Sequence, residues 1–493
     1  MMPNKFSTLL SLLFFLSSIS GICAKNAPNN IEVYPALPGN QYMSERYQVS
    51  VISAKDVHSS YVYKSLNTYF RFEYDREKMS LENHFTSFSF EGKVKVEIRL
   101  PLRKSISTVV VRPLSKNLKA SVNGNIITIE LTKAANFYVE IEGEKKYPLF
   151  VFANPIEKNI PIKNDTNVIY FAPGVHEIGY KDRPMQNIPA GKTVYLAGGA
   201  YVKGLLKTKD NADITVRGRG ILSGIDIPGN PHYVGIIDAH YGAAFVEGIV
   251  TTDAPSGYQG IIATNKKSSK SSLVDNVKML GWASNSDGGL LGDNSVIKNC
   301  FFKINDDVIK PVKNGILYKD NIVWHQMVGS VIMLGWNNTE LCANATVSGL
   351  DVIGCDRAVV DSSDGTSQAF LNLKNINGGK YKNIIIENVR LETKPYMLFA
   401  VDIKITDKGF INNGAFNKGL GSIDGLLLRN IIVPEMPVRI SYFNGNGNVT
   451  STSSGDIKNV IFENLTIAGM KLIKENASSY LILSGKTSGF LYK

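Results

Sequence analysis

The sequence predicts an all-β chain: a parallel β-helix over residues 161–493, preceded by an N-terminal β-sandwich over residues 25–160. Three observations predict it. A short apolar module closed by Asn or Gly returns along the second part, at Asn276, Asn299, Asn321, Gly349, Asn388, Asn430 and Asn464. Its first steps, 23 and 22 residues, suit one coil of a solenoid, and the later steps of 28 to 42 leave room for loops at one corner. The first part alternates apolar and polar residues between turn formers, as half-buried antiparallel strands do. The composition, with 43 glycines and 20% charged residues, suits many short strands and turns in an ordinary globular protein.

The N-terminus has the plan of a secretory signal over residues 1–24. Lys5 supplies the positive charge, Phe6 to Ile19 is apolar, and Ala24 is the expected cleavage point. No later run approaches ~18 apolar residues, so no membrane span is expected. The chain is expected to be secreted or periplasmic, and monomeric. Cys300, Cys342 and Cys355 would remain after cleavage. Cys342 and Cys355 are a possible pair, and Cys300 reads as a small buried hydrophobe. Neither CxxC nor a zinc-spaced His/Cys cluster occurs, so no metal or cofactor is expected. The net charge of +11 comes from scattered lysines. It reads as a solubilising surface, with no nucleic-acid motif.

In the sandwich, strands are expected at Arg46–Ile52, Tyr69–Tyr74, Thr86–Phe90, Lys93–Leu100, Thr108–Arg112, Ile126–Leu131 and Asn136–Ile141. Asn123-Gly124 and Glu142-Gly143 are turns between them. His58 and His84 are isolated and read as surface or packing residues. Pro148 and Pro155 mark the boundary. In the β-helix the recurring Asn is expected to stack as a ladder that satisfies turn backbone. Asn464, one of six Asn-x-Ser/Thr sequons, is expected to be buried within it.

Function concentrates in residues 282–315. Trp282-Ala-Ser-Asn-Ser-Asp287-Gly-Gly is followed by Ile304-Asn305-Asp306-Asp307-Val308-Ile309-Lys310. A carboxylate near a core costs several kcal/mol unless it is paired, hydrogen-bonded or protonated. Taken alone, Asp306-Asp307 reads equally as a turn. The coil period changes that. Asp287 precedes Asp306 by 19 residues, about one coil, and coils stack at ~4.8 Å. Three carboxylates so placed cannot all ionise, and a protonated acid beside an ionised base is what glycoside hydrolysis needs. Lys310 would hold its neighbours ionised or bind a sugar oxygen, although a solvated lysine fits the spacing as well. His325, one coil past Asp307, is a candidate substrate contact against a structural histidine. All three tryptophans, Trp282, Trp324 and Trp336, fall nearby. Sugar faces pack on aromatic rings, and Trp336, flanked by turn residues, is the one selected for the cleft; core packing is the competing role. Asp361 and Asp364 would extend the cleft or form a turn.

At Ser286-Asp287-Gly288, Asn305-Asp306-Asp307-Val308-Ile309-Lys310, Asn321-Ile-Val-Trp324 and Gly335-Trp336 the chain resembles glycoside hydrolase family 49, the dextranase and isopullulanase group. The resemblance covers most of residues 165–360 and, loosely, the two-domain plan. It implies a right-handed β-helix and an inverting hydrolase of a polysaccharide, an α-glucan such as α-1,6-linked dextran. It implies Asp306 as general acid, with Asp287 and Asp307 activating and positioning water. Lys310, Trp336, His325, Trp282 and Asn305 would then face substrate. A more distant likeness to family 28 polygalacturonases rests on Asn285-Ser-Asp287 and Asp306-Asp307. That family's Gly-His-Gly has no counterpart, and Arg439-Ile440 is followed by Ser441. A hydrolase of an acidic or sulfated glycan is thus the enzymatic alternative. A non-catalytic glycan-binding adhesin is the other.

Overall fold

The computed structural model describes residues 30–54, 56–65, 82–179, 185–228, 234–335, 340–356, 368–374, 378–403, 421–445 and 455–493. The expected signal segment and the expected strand Tyr69–Tyr74 lie outside them. Among the described residues no helix is long and apolar enough to cross a membrane.

The first part is two packed sheets. One runs Asn30–Val33, Asn83–Glu91, Leu149–Pro155, Ala135–Ile141, Val109–Arg112, with Val62–Ser65 added on Asn83–Glu91. The other runs Val57–Ser60, Gln48–Ile52, Val94–Arg99, Ile126–Leu131, Ala120–Asn123. Alternation fixes the register: Val94, Val96 and Ile98 lie opposite Leu131, Ile129 and Ile127, and all six are buried. Strand Leu149–Pro155 was not expected, because its prolines suggested a boundary and its residues do not alternate. Both of its faces are covered. Leu149, Val151 and Ala153 point into the sandwich core. Phe150 and Phe152 point the other way, into a cluster with Tyr201, Leu280, Phe301 and Trp324 of the second part.

The second part is a parallel β-helix. One ladder stacks Val168–Phe171, Thr193–Leu196, Ile214–Gly218, Ala244–Glu247 and onward. The next stacks Gly174–Glu177, Ala200–Lys203, Ile221–Ser223, Val250–Thr252, Lys278–Ser284, Phe301–Asn305 and Ile322–His325. These two ladders merge into long strands from Thr346–Cys355 onward. A third ladder ends at Gly289–Leu291 and resumes at Ile332–Met333. Between them an isolated bridge, Ile309 to Ile332, and a few single backbone bonds continue the stacking. The Asp306–Lys310 segment occupies this interruption.

Between the first two ladders, from Gly248 onward, each coil turns through a left-handed residue. Gly248, Asn276, Asn299, Asp320, Gly349, Asn388, Asn430 and Asn464 hold φ between +51° and +81°. Asn and Gly tolerate that conformation best, which accounts for the period in the sequence. The side chains do stack: Asn464 donates to Asn430 at 3.0 Å and Asn430 to Asn388 at 3.1 Å. Two details differ from expectation. The stack lies on the outside, so Asn464 is exposed. On the fourth of these coils the turn residue is Asp320, while Asn321 points inward and bonds the Cys300 N–H and the Ile297 carbonyl.

The two parts join through aromatic packing. Trp324 is fully buried against Tyr138, at 5.0 Å between ring centroids, and its indole N–H donates to Asp356 at 2.8 Å. Its role is in this junction. Trp324→Ala should cost about 3–5 kcal/mol in urea unfolding. All three described cysteines are buried thiols, and Cys342 and Cys355 form no disulfide. Cys342 faces the Pro311 carbonyl at 3.1 Å and Cys355 faces His325.

Candidate active site

The interruption in the third ladder gathers the acidic residues. Backbone bonds give the register: Gly260 N–H to the Asp287 carbonyl at 2.8 Å, Gly288 to Asp307 at 2.9 Å, Val308 to Ser330 at 3.0 Å. Gln259, Asp287, Asp307 and Ser330 therefore occupy equivalent places on four successive coils. Asp306 stands in the neighbouring column, beside Gly329. Asp287 thus lies one coil from the Asp306-Asp307 pair. Its exact partner in register is Asp307, because the step between these coils is 20 residues.

Each side chain is held. The Lys310 ammonium pairs with the Asp287 carboxylate and donates to Gln259 Oε1 at 3.1 Å. Asp307 is buried, and its Oδ1 accepts the Ser330 N–H at 3.0 Å. Asp306 Oδ1 accepts the Asp307 N–H at 2.9 Å. Burial pushes the Asp306 carboxyl well above the usual carboxylate range, and the charges of Asp287 and Asp307 push it further. Lys310 and the Asp307 N–H pull the other way and do not win. Burial also disfavours the Lys310 charge, but the carboxylates of Asp287, Asp307 and Asp306 outweigh it, so its pKa is raised. The site therefore sets a carboxyl of raised pKa beside a fixed cation–carboxylate pair.

The other expected site residues divide. Asn305 and His325 are buried. Asn305 Oδ1 accepts the N–H groups of Met327 and Val328, both at 3.1 Å. His325 Nε2 meets the Gly329 carbonyl at 3.0 Å, and Nδ1 faces Cys355 Sγ at 3.7 Å. Both hold the turn that carries Gly329 and Ser330 against the acid pair. Trp282 belongs to strand Lys278–Ser284. Trp336, Asp361 and Asp364 lie outside the described residues.

Sequence reasoning missed Gln259, Gly329 and Ser330 as members of the site. Coil offsets would have found them: Gln259 is 28 residues before Asp287, and Ser330 is 23 after Asp307. Gly329 has φ +76°, and a Cβ there would fall 2.3 Å from the Asp306 carbonyl carbon.

No family model matches the chain. A dextranase of Arthrobacter sp. (strain CB-8) is 30% identical over 209 residues, covering 36% of this chain and 32% of that protein. The chain thus spans about a third of the length of the two Arthrobacter dextranases it matches. A dextranase of Talaromyces minioluteus is 23% identical over 555 residues, covering 90% of this chain and 86% of that protein. An isopullulanase of Aspergillus niger is 23% identical over 330 residues, covering 55% and 57%. Among solved structures, Dex49A from Penicillium minioluteum superposes with a TM-score of 0.68 at 18% identity, covering 92% of this chain and 96% of that one, a likeness of fold. The chain therefore resembles the dextranases and isopullulanase of glycoside hydrolase family 49 in sequence, and a dextranase in fold.

Proposed function

We propose that the chain is a glycoside hydrolase that cleaves a polysaccharide, an α-1,6-linked glucan of the dextran type, with inversion at the anomeric carbon. One observation carries this reading: Asp306 stands beside Asp307 and one coil from an Asp287 held by Lys310. Asp306 gives its proton to the glycosidic oxygen as the bond to the anomeric carbon breaks. Asp287 and Asp307 orient a water on the opposite face, and one of them takes its proton as the oxygen attacks. The products are two free sugar ends, and solvent restores the two protonation states. Lys310 pairs with Asp287, and the raised pKa of Asp306 favours its proton-carrying form. His325 and Asn305 act from behind, by holding Gly329 and Ser330. The leader over residues 1–24 would carry the sandwich (25–160) and the catalytic β-helix (161–493) out of the cell, and the mature chain would act as a monomer.

The test is reducing-end release from dextran, pullulan, polygalacturonate and a sulfated galactan. Release from dextran, with the inverted anomer seen first by ¹H NMR, supports the reading. Release from polygalacturonate or the sulfated galactan alone supports the acidic-glycan alternative. Binding without cleavage of any of them supports the adhesin.

Lys310→Met removes the cation that steadies Asp287 and that alone opposes the rise of the Asp306 pKa through charge. The variant should lose about 10²-fold in kcat. The alkaline limb of its pH–rate profile should move to higher pH, since Asp306 then holds its proton longer. A limb that stays in place would remove Lys310 from this account.

A further inference from the structure

We infer that Gln259 is a positioning residue: it fixes the Lys310 ammonium on Asp287 and away from Asp306. The inference deepens the glycosidase reading and rests on it for its kinetic consequences.

Gln259 lies on strand Tyr258–Ala263, one coil before Asp287, and is 9% exposed. The Lys310 side chain starts on the coil after Asp287 and reaches back across it. Its ammonium meets two acceptors, Asp287 Oδ2 and Gln259 Oε1, the latter at 3.1 Å. An ammonium offers only donors, so the amide must turn its oxygen inward. This choice matters because Lys310 feels three carboxylates, those of Asp287, Asp307 and Asp306. Seated on Asp287, the cation is paired there and turned away from Asp306. Seated on Asp306, it would stabilise the ionised form of the acid and release its proton. Gln259 is neutral, so it anchors the cation at the Asp287 end without adding a fourth charge.

The groups facing Asp306 come from three coils. Asp287 faces it from the preceding coil, and Asp307 and Lys310 from its own. The following coil presents Gly329, with His325 behind it on the Gly329 carbonyl. The hydroxyl of Tyr318 lies at the Lys310 backbone, 3.4 Å from its nitrogen. Gln259 is the neutral side chain bonded to the ammonium itself.

Two variants test this with shifts of opposite sign, which a packing role would not produce. Gln259→Met keeps the length and removes the acceptor, so the ammonium turns toward the acid pair. The alkaline limb of kcat/KM should then move to lower pH, with kcat about tenfold lower and KM within about twofold. Gln259→Glu draws the ammonium away and adds a negative charge, so the limb should move to higher pH. The same movement is read without turnover from the carboxyl ¹³C titration of Asp306, assigned by its loss in Asp306→Asn. An Asp306 midpoint that is unchanged in both variants, or that moves the same way in both, overturns the inference. If the midpoint moves in opposite directions while the wild type cleaves no glycan, the glycosidase reading fails and the role of Gln259 stands.

Discussion

Asp306→Asn is expected to lower kcat on dextran by about 10³-fold or more while raising the thermal stability of the protein. The loss follows from the role: asparagine cannot give a proton to a leaving oxygen, and general acid catalysis contributes about 10²–10⁴-fold. The gain follows from the geometry. The amide keeps the acceptor that bonds the Asp307 N–H, and it carries no charge to repel Asp287 and Asp307. The Asp306 pKa is raised in the folded chain. The proton is therefore held more tightly in the folded state, and its stabilising contribution is complete below the unfolded value of about 3.9. That contribution is lost as pH rises through the folded pKa. Wild type and variant should thus melt together near pH 4, and the variant should melt about 1–2 °C higher at pH 8. Melting curves at the two pH values check this, and a variant less stable at pH 8 would mean that the Asp306 carboxylate is not strained by its neighbours.

Gly329→Ala is expected to abolish most activity without replacing any proposed catalytic group. The added Cβ would fall 2.3 Å from the Asp306 carbonyl carbon, 2.4 Å from the Asp307 nitrogen and 2.6 Å from Asp306 Oδ1. The two nearest are backbone atoms, so the acid pair itself must move. The backbone at φ +76° adds strain for any L side chain. Misplacing a reacting group by about 1 Å can cost 10²-fold, and that is the loss expected in kcat. Stability should fall by about 1–3 kcal/mol. Gly191 is the control: its φ is +78° and nothing lies within 4 Å of its Cβ position. Gly191→Ala should cost about 1 kcal/mol and leave kcat unchanged. Equal kcat values for the two variants would show that crowding of Asp306 is not what Gly329 prevents.

The repeat was legible because its cause is local. A left-handed turn on each coil selects Asn or Gly, so Asn276, Asn299, Asn388, Asn430 and Asn464 mark the period in the sequence. Asp320 meets the same φ requirement with a different side chain, and there the sequence pointed to Asn321 instead. Strands with one wet face, such as Val94–Arg99 and Ile126–Leu131, were legible by alternation. Leu149–Pro155 was not, because both of its faces are covered and its pattern is a continuous apolar run. The acid trio was legible because Asp287 and Asp306-Asp307 differ by about one coil. Gln259 and Ser330 were not, because Gln and Ser are common surface residues and only the register places them in the same column. Trp324, close in sequence to the carboxylates, takes the competing role of core packing: its side chain is buried in the junction with the sandwich.

The central claim is that Asp306 supplies the proton to the leaving oxygen. A leaving group that needs no proton tests it most directly. Asp306→Asn should be assayed on dextran and on the 2,4-dinitrophenyl glycoside of isomaltose. The account predicts a loss of about 10³-fold or more on dextran and of no more than about 10-fold on the activated glycoside. Equal losses on the two substrates, or unimpaired cleavage of dextran, would contradict it.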